Sequence, residues 1–381
     1  MQRITKNLKN TSVFLRPSFI ILLFCLAYTL ANLSMSNYNP TSFLYLGKTF
    51  LEKDPQSPIT QYVIETMGLP SNEVGYDGQM YYYIALDPFN AWRNLDTYGR
   101  YERILFPLTV KVAALGNSFL IPYTMIAVNV LSVVIGTEII ARMLKSKGVS
   151  PWFSLVYGLY IGHLFVISRD CIETFSYMFV LLAIYVSEEK QKPIMSAFLF
   201  ALALFAKETA ILFVAGYAFG MIFKKLALKE KMKFLMITII PYALFQIALY
   251  NFFGFIPLST VGSPTSTKWI PFYGAFEASS GSPELLNISF LIIIPSVISC
   301  LIFVAHILQK EFNCLLFSLI FNALFMMFLP TPSYWNLQDY TRISIGLVTA
   351  FLTYAIYSNR RKMLTYSLTW ILPFTTYFTF G

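Results

Sequence analysis

Histidine is close to absent from this chain of 381 residues: His163 and His306 are the only two, and they stand far apart. A histidine-ligated metal centre needs several converging imidazoles, and a Ser–His–Asp set needs a positioned base. Neither chemistry has material here. The four cysteines, Cys25, Cys171, Cys300 and Cys314, lie in or beside apolar runs with no Cys-x-x-Cys spacing. They read as small apolar packing residues rather than a disulfide or metal framework. No glycine-rich phosphate loop, internal repeat or low-complexity tract occurs. Charge is scarce too. Only 12% of residues are Asp, Glu, Lys or Arg, roughly half the share of a soluble domain.

What remains is apolar: 56% of residues are hydrophobic, and the mean hydropathy is +0.60. Runs approaching 20 residues suit helices that cross a hydrocarbon core about 30 Å thick. Eleven spans are predicted, at 18–36, 119–143, 151–168, 171–187, 193–206, 208–223, 234–254, 287–308, 313–330, 342–358 and 363–380. Residues 104–116 read as a further re-entrant or interfacial helix. The first run follows Arg3, Lys6, Lys9 and Arg16 and lacks a small-residue cleavage site after it, so it is read as an uncleaved span. The expectation is an all-α polytopic membrane protein, with residues 1–381 forming a single transmembrane domain.

A net charge of +9 invites a nucleic-acid partner. That reading is rejected, because the basic residues gather at the ends of apolar runs, where they set topology. With the N-terminus in the cytoplasm and spans alternating, the inner side receives 18 of the 28 basic residues and five of the 19 acidic ones. The inner side is then about +13 and the outer about −4, a strong positive-inside bias. An odd number of spans puts the C-terminus outside. Residues 37–118 become a long first external loop, 255–286 a Ser-, Gly- and Pro-rich flexible external loop, and 330–342 a short aromatic one.

The charges near the outer ends of spans form a constellation. The stretch GYDGQMYYYIALDP (75–88) carries Asp77 and Asp87, and the rest of that loop adds Asp96, Arg100, Glu102 and Arg103. The segment SRDCIETF supplies Arg169, Asp170 and Glu173, LFAKETAILF supplies Lys207 and Glu208, and LQDYTRIS supplies Asp339 and Arg342. Charges that border hydrocarbon face a bundle interior or a wet cavity and pair there. Four connections contributing both signs to one side point to a polar external cavity. Arg169/Asp170 and Lys207/Glu208 also fit tight hairpin turns at the interface. Tyr82 or Tyr83 also fits an interfacial aromatic belt, and Asp87-Pro88 fits a structural turn. Asp77, between Tyr76 and Gly78, suits a turn that presents a carboxylate. Such a group can serve as general base toward a sugar hydroxyl, while Lys and Arg hold a phosphate and stabilise a leaving group.

At these residues the sequence resembles the GT-C superfamily of membrane glycosyltransferases, in which a first span is followed by a large external loop with an acidic motif. More narrowly, GYDGQMYYYIALDP followed by YGRYERILFPLTVKVAALG resembles a bacterial family implicated in cell-surface glycopolymer formation, and FAKETAILF and DYTRIS are similar to it as well. The resemblance implies a GT-C-like bundle in the plasma membrane with its active site on the external face. It implies transfer of a sugar from a polyprenyl-phosphate donor to an external glycan, lipid or protein acceptor, with inversion. Asp77 is then the catalytic base. Tyr76, Gln79, Arg100, Arg103, Arg169, Asp170, Glu173, Lys207, Glu208 and Arg342 are then substrate-binding, with Lys207 and Arg342 best suited to phosphate. No acidic pair marks a metal site, so no metal or other cofactor is expected. The partners expected are the lipid-linked donor, the acceptor, the bilayer and other glycan-assembly proteins. A lipid-linked glycan flippase and a non-catalytic assembly subunit are the alternative readings.

Overall fold

The computed structural model describes residues 16–255, 269–280, 282 and 284–372. Among them the structure is helical, with no strand and one isolated bridge between Gly47 and Asn72. Helix α1 (Pro17–Met35) is followed by α2 (Lys48–Glu52), α3 (Pro58–Met67), α4 (Gly78–Leu86) and α5 (Leu105–Ala113), which belong to the first long loop. Next come α6 (Ile121–Ser146), α7 (Leu155–Gly158), α8 (Ile161–Ser168), α9 (Glu173–Glu188), α10 (Pro193–Ala206), α11 (Ile211–Phe223) and α12 (Leu228–Phe253). The remainder is α13 (Tyr273–Ala278), α14 (Glu284–Ile288), α15 (Ile294–Gln309), α16 (Cys314–Met327), α17 (Leu337–Ile343), α18 (Ile345–Tyr357) and α19 (Arg361–Ser367).

Local chemistry sets many of these boundaries. Proline opens α1, α3, α6, α10 and α15, where its missing N–H goes unused and its fixed φ already suits a helix. Asn313 caps α16 by accepting from the Leu316 N–H at 2.9 Å. Lys207, at φ −160° and ψ 130°, is extended backbone that separates α10 from α11.

Four stretches are long and apolar enough to cross a membrane: Pro17–Met35, Ser118–Ser146, Leu228–Phe253 and Glu284–Gln309. Pro151–Gly158 with Ile161–Ser168, bent by 46°, makes a fifth if the pair is one span. Eleven full-length spans are therefore not observed. Most of the other expected spans correspond to shorter helices: α9 has 16 residues, α10 and α16 have 14, and α11 and α18 have 13. At 1.5 Å per residue these rise about 20–24 Å, well short of about 30 Å. Residues 373–380 of the run 363–380 lie outside the described residues, as do 256–268, 281 and 283 of the loop 255–286.

The short helices form the middle of the bundle. α9 packs on α10 and α6, α11 on α16, and α16 on α18. Gly216 and Gly220 seat α11 against α16, since a Cβ at either would lie 2.3–2.4 Å from Ser318 or Cys314. Small residues four apart let helices approach closely in an apolar bundle.

The first long loop is a folded cap, not a tether. Leu44, Leu51, Ile59, Val63, Met80, Ile84, Leu95 and Phe106 form its apolar core. Asn94 ties its segments by bonding Ser57, Thr60 and the Phe50 carbonyl. Tyr81, Tyr82 and Tyr83 are all 0% exposed, so the aromatic-belt reading of Tyr82 or Tyr83 does not hold: they fill the core of the cap. Asp87 accepts from the Phe89 and Asn90 N–H groups and the Asn90 amide, a closed turn with a structural role. Lys111 of α5 donates to the Ala85 and Leu86 carbonyls, capping α4 with a cation as a helix C-terminus favours.

Candidate functional site

The approach to α4 is fixed by backbone packing. Gly75 has φ +75°, and a Cβ there would meet the Tyr45 oxygen at 2.5 Å. Gln79 braces the same turn: its Oε1 accepts from the Gly47 N–H and its Nε2 donates to the Val74 carbonyl, both at 2.8 Å. Gln79 is 1% exposed and both of its polar ends are engaged by the loop. Gly78 lies against the turn between α8 and α9; a Cβ there would stand 2.0 Å from the Arg169 carbonyl oxygen. This close approach carries Asp77, at the start of α4, to the head of the short helices.

Asp77 does not cap its own helix. Its Oδ1 accepts from Arg100 at 2.8 Å and its Oδ2 from Arg342 at 2.7 Å. Arg342 also lies 3.1 Å from Glu173, which receives Lys207 at 2.7 Å. On the other flank Arg103 grips Glu208 with two bonds of 2.7 and 2.8 Å. The Tyr81 hydroxyl joins the flanks, accepting from Arg103 at 2.6 Å and Arg100 at 3.4 Å. Arg100 makes two bonds to Asp96. Tyr76 donates to Asp339 and lies under the Arg342 guanidinium, 5.2 Å from its ring centre. One continuous network thus links Tyr76, Asp77, Arg100, Arg103, Glu173, Lys207, Glu208 and Arg342.

Three expected residues stand apart from this network: Gln79, engaged by the loop backbone, and Arg169 and Asp170. Arg169 stacks over the Tyr45 ring at 4.3 Å and donates to Gln338 at 3.3 Å. Asp170 is wholly buried at φ +46°, and Asn129 of α6 is its polar neighbour.

The expectation of an open polar cavity is not met. Side-chain exposure is 0% for Glu173, 8% for Lys207, 10% for Arg103 and Arg342, and 24% for Asp77. Oppositely charged groups at hydrogen-bond distance close on one another, because charge-assisted bonds are the strong ones. The cluster holds five carboxylates (Asp77, Asp96, Glu173, Glu208, Asp339) and four cations (Arg100, Arg103, Lys207, Arg342), so it carries no cationic surplus. Arg169 differs: among the described residues no carboxylate lies within 4.0 Å of it.

Electrostatics separates the carboxylates. Burial opposes ionisation of Asp77, but Arg100 and Arg342 outweigh it and hold the group well below the ordinary carboxylate range. Glu102 behaves oppositely. Burial first, then the negative charge of Glu208, push it up to about 7. Its Oε2 receives only a long bond of 3.4 Å from Tyr242, and its Oε1 has no hydrogen-bond partner.

The sequence reading missed Tyr81 as the bridge. It stands four residues after Asp77 and so on the same helical face, a signal present in the motif itself. Tyr45 and Gln338, the partners of Arg169, carried no such signal. Among the described residues no three His, Cys, Asp or Glu side chains gather closely enough to hold a metal ion.

No protein-family model matches this chain, and no curated protein or solved structure matches it either.

Proposed function

We propose that this protein is an integral-membrane glycosyltransferase of GT-C type. It moves a sugar from a polyprenyl-phosphate donor to an acceptor hydroxyl at the outer face of a plasma membrane, in the formation of a surface glycan. The observation that carries the reading is the meeting of a partly exposed loop carboxylate, Asp77, with cations from separate connections at the recessed ends of short helices. In this scheme Asp77 takes the acceptor hydroxyl proton while that oxygen bonds to the anomeric carbon. The bond from anomeric carbon to phosphate oxygen breaks, and its electron pair leaves on the polyprenyl phosphate.

The lack of a cationic surplus bears on who grips the phosphate. Lys207 and Arg342 are already engaged by buried Glu173. Arg169, free of carboxylates and beside the backbone that abuts Gly78, is the better first anchor. A donor phosphate at Arg169 then competes with Asp77 for the guanidinium groups of Arg342 and Arg100. Losing either cation raises the proton affinity of Asp77, so the donor itself readies the base.

A flippase requires a charged path through the bundle. Among the described residues the ion pairs lie in the cap, at this cluster, or at the opposite helix ends around Glu138, Glu188, Glu189 and Glu230, and none bridges the two ends. That distribution favours transfer at one face. The test is reconstitution with synthetic polyprenyl-phosphate sugars. Wild type transfers sugar, folded Asp77→Asn does not, and Arg169→Gln raises the donor KM with a smaller effect on kcat. Full activity in Asp77→Asn removes the base. A wild type that moves lipid-linked glycan between leaflets without transfer assigns the flippase instead.

A further inference from the structure

Helix α18 leads away from Arg342 for 13 residues, a rise of about 20 Å. Beyond its end, at the turn into α19, stand three consecutive cations, Arg360, Arg361 and Lys362, all exposed. Three acids at this end already have partners. Glu138 receives Arg142 and Ser18, Glu188 faces Lys224 and receives Tyr217, and Glu189 pairs with Lys147 and Ser146. Among the described residues no carboxylate lies within 4.0 Å of Arg360, Arg361 or Lys362.

Beside this turn a cavity of about 650 Å³ opens against α15. One wall is apolar, made by Ile298, Leu301, Ile302 and Ala305; the other is the basic turn. The volume falls within the range of small-molecule sites. Arg361 also lines a second cavity of about 220 Å³ toward Val149 and Phe153. Leu301 is 65% exposed, so the apolar wall continues onto the outer surface of α15, inside one of the four stretches able to cross a membrane.

We propose that this groove is a binding site for one anionic phospholipid of the surrounding bilayer. Its phosphate sits on Arg360, Arg361 and Lys362, and an acyl chain lies along Ile298, Leu301 and Ile302. The charge arrangement selects this occupant. Three unpaired cations at the end of an apolar helix meet the negative headgroup layer, where each basic residue adds attraction. A free phosphate leaves the apolar wall without use, and a zwitterionic lipid offers no net charge to the turn. The site is about 20 Å from the Asp77 network and does not depend on the proposed transferase reading.

The experiment is native mass spectrometry of the purified full chain titrated with phosphatidylglycerol or phosphatidylcholine. The expected result is one phosphatidylglycerol held at least tenfold more tightly than phosphatidylcholine. R360Q/R361Q/K362Q should lose that preference, and Leu301→Gln should weaken phosphatidylglycerol several-fold with the cations intact. Millimolar inorganic phosphate should displace neither lipid. Unchanged phosphatidylglycerol affinity in the triple variant overturns the proposal, as does displacement of the lipid by inorganic phosphate at equal concentration. The turn is exposed, so the variants should keep the wild-type melting profile; an unfolded triple variant leaves Leu301→Gln to decide.

Discussion

Asp77 and Arg342, 265 residues apart in the chain, meet at 2.7 Å, and Arg100 closes on the other oxygen of the same carboxylate at 2.8 Å. A carboxylate between two guanidiniums is a poor proton acceptor. In the free protein its ionisation lies well below the ordinary range, because the two arginines outweigh its burial. For the proposed transfer, the acid limb of kcat/KM reports the free protein and should lie below the ordinary aspartate range as far as Asp77 is concerned. Arg100→Gln removes one of the two cations and should shift that limb upward by on the order of one unit. A profile that does not move in Arg100→Gln separates the base from Asp77.

Glu173 and Lys207 are a second relationship with a measurable consequence. Glu173 is wholly buried and receives both Lys207 and Arg342. Leaving a buried charge with no partner costs roughly 3–5 kcal/mol, but Arg342 stays beside Glu173 when Lys207 is lost, so the loss should be smaller than that. Lys207→Met should therefore destabilise, and Glu173→Gln should recover part of the loss in the double variant. Unfolding titrations in mixed micelles across the four proteins give the coupling directly. Additive losses would show that the two charges do not depend on each other.

Gly78 makes a sharper structural prediction. A Cβ at this position stands 2.0 Å from the Arg169 carbonyl oxygen and 3.2 Å from the Asp170 Cβ. Gly78→Ala must push α4 away from the turn between α8 and α9, with an overpacking loss of about 1–3 kcal/mol. Asp77 moves with it, so the Asp77–Arg342 contact lengthens as stability falls. A melting temperature in detergent equal to wild type would mean that the two backbones are not in close approach.

Much of this site was readable in the sequence because its parts are polar residues in apolar surroundings. Asp77, Arg100, Glu173, Lys207 and Arg342 stand out for the same physical reason that they pair: charges next to hydrocarbon need partners. Pairing identity was not readable. Nothing in the spacing says that Arg103 grips Glu208 while Lys207, its neighbour, turns to Glu173. Gln79 looked like a substrate ligand within the motif, yet the loop backbone engages both ends of its amide. Breaks between spans were readable where charge interrupts an apolar run, as at Arg169–Asp170 and Lys207. Composition did not show that helices of 13–16 residues, shorter than a full crossing, pack together within the bundle.

Glu102 yields a pH prediction opposite in sign to that of Asp77. Its carboxyl is raised to about 7 by burial and by Glu208. A raised acid holds its proton in the folded protein after the unfolded chain has released it. Stability therefore falls as pH rises from the ordinary glutamate range, about 4.3, toward 7, and the penalty is complete above 7. Glu102→Gln removes the ionisation and keeps a group able to bond Tyr242, which now bonds Glu102 at 3.4 Å. The variant should match wild type near pH 4.5, exceed it in melting temperature at pH 8, and show a flatter profile between. Asp77 cannot mimic this, because its lowered ionisation stabilises the fold above the ordinary aspartate range and loses that contribution only in stronger acid. Parallel melting curves for wild type and Glu102→Gln from pH 4.5 to 8 would mean that Glu102 is ionised throughout, and that solvent or a cation reaches the carboxylate oxygen Oε1.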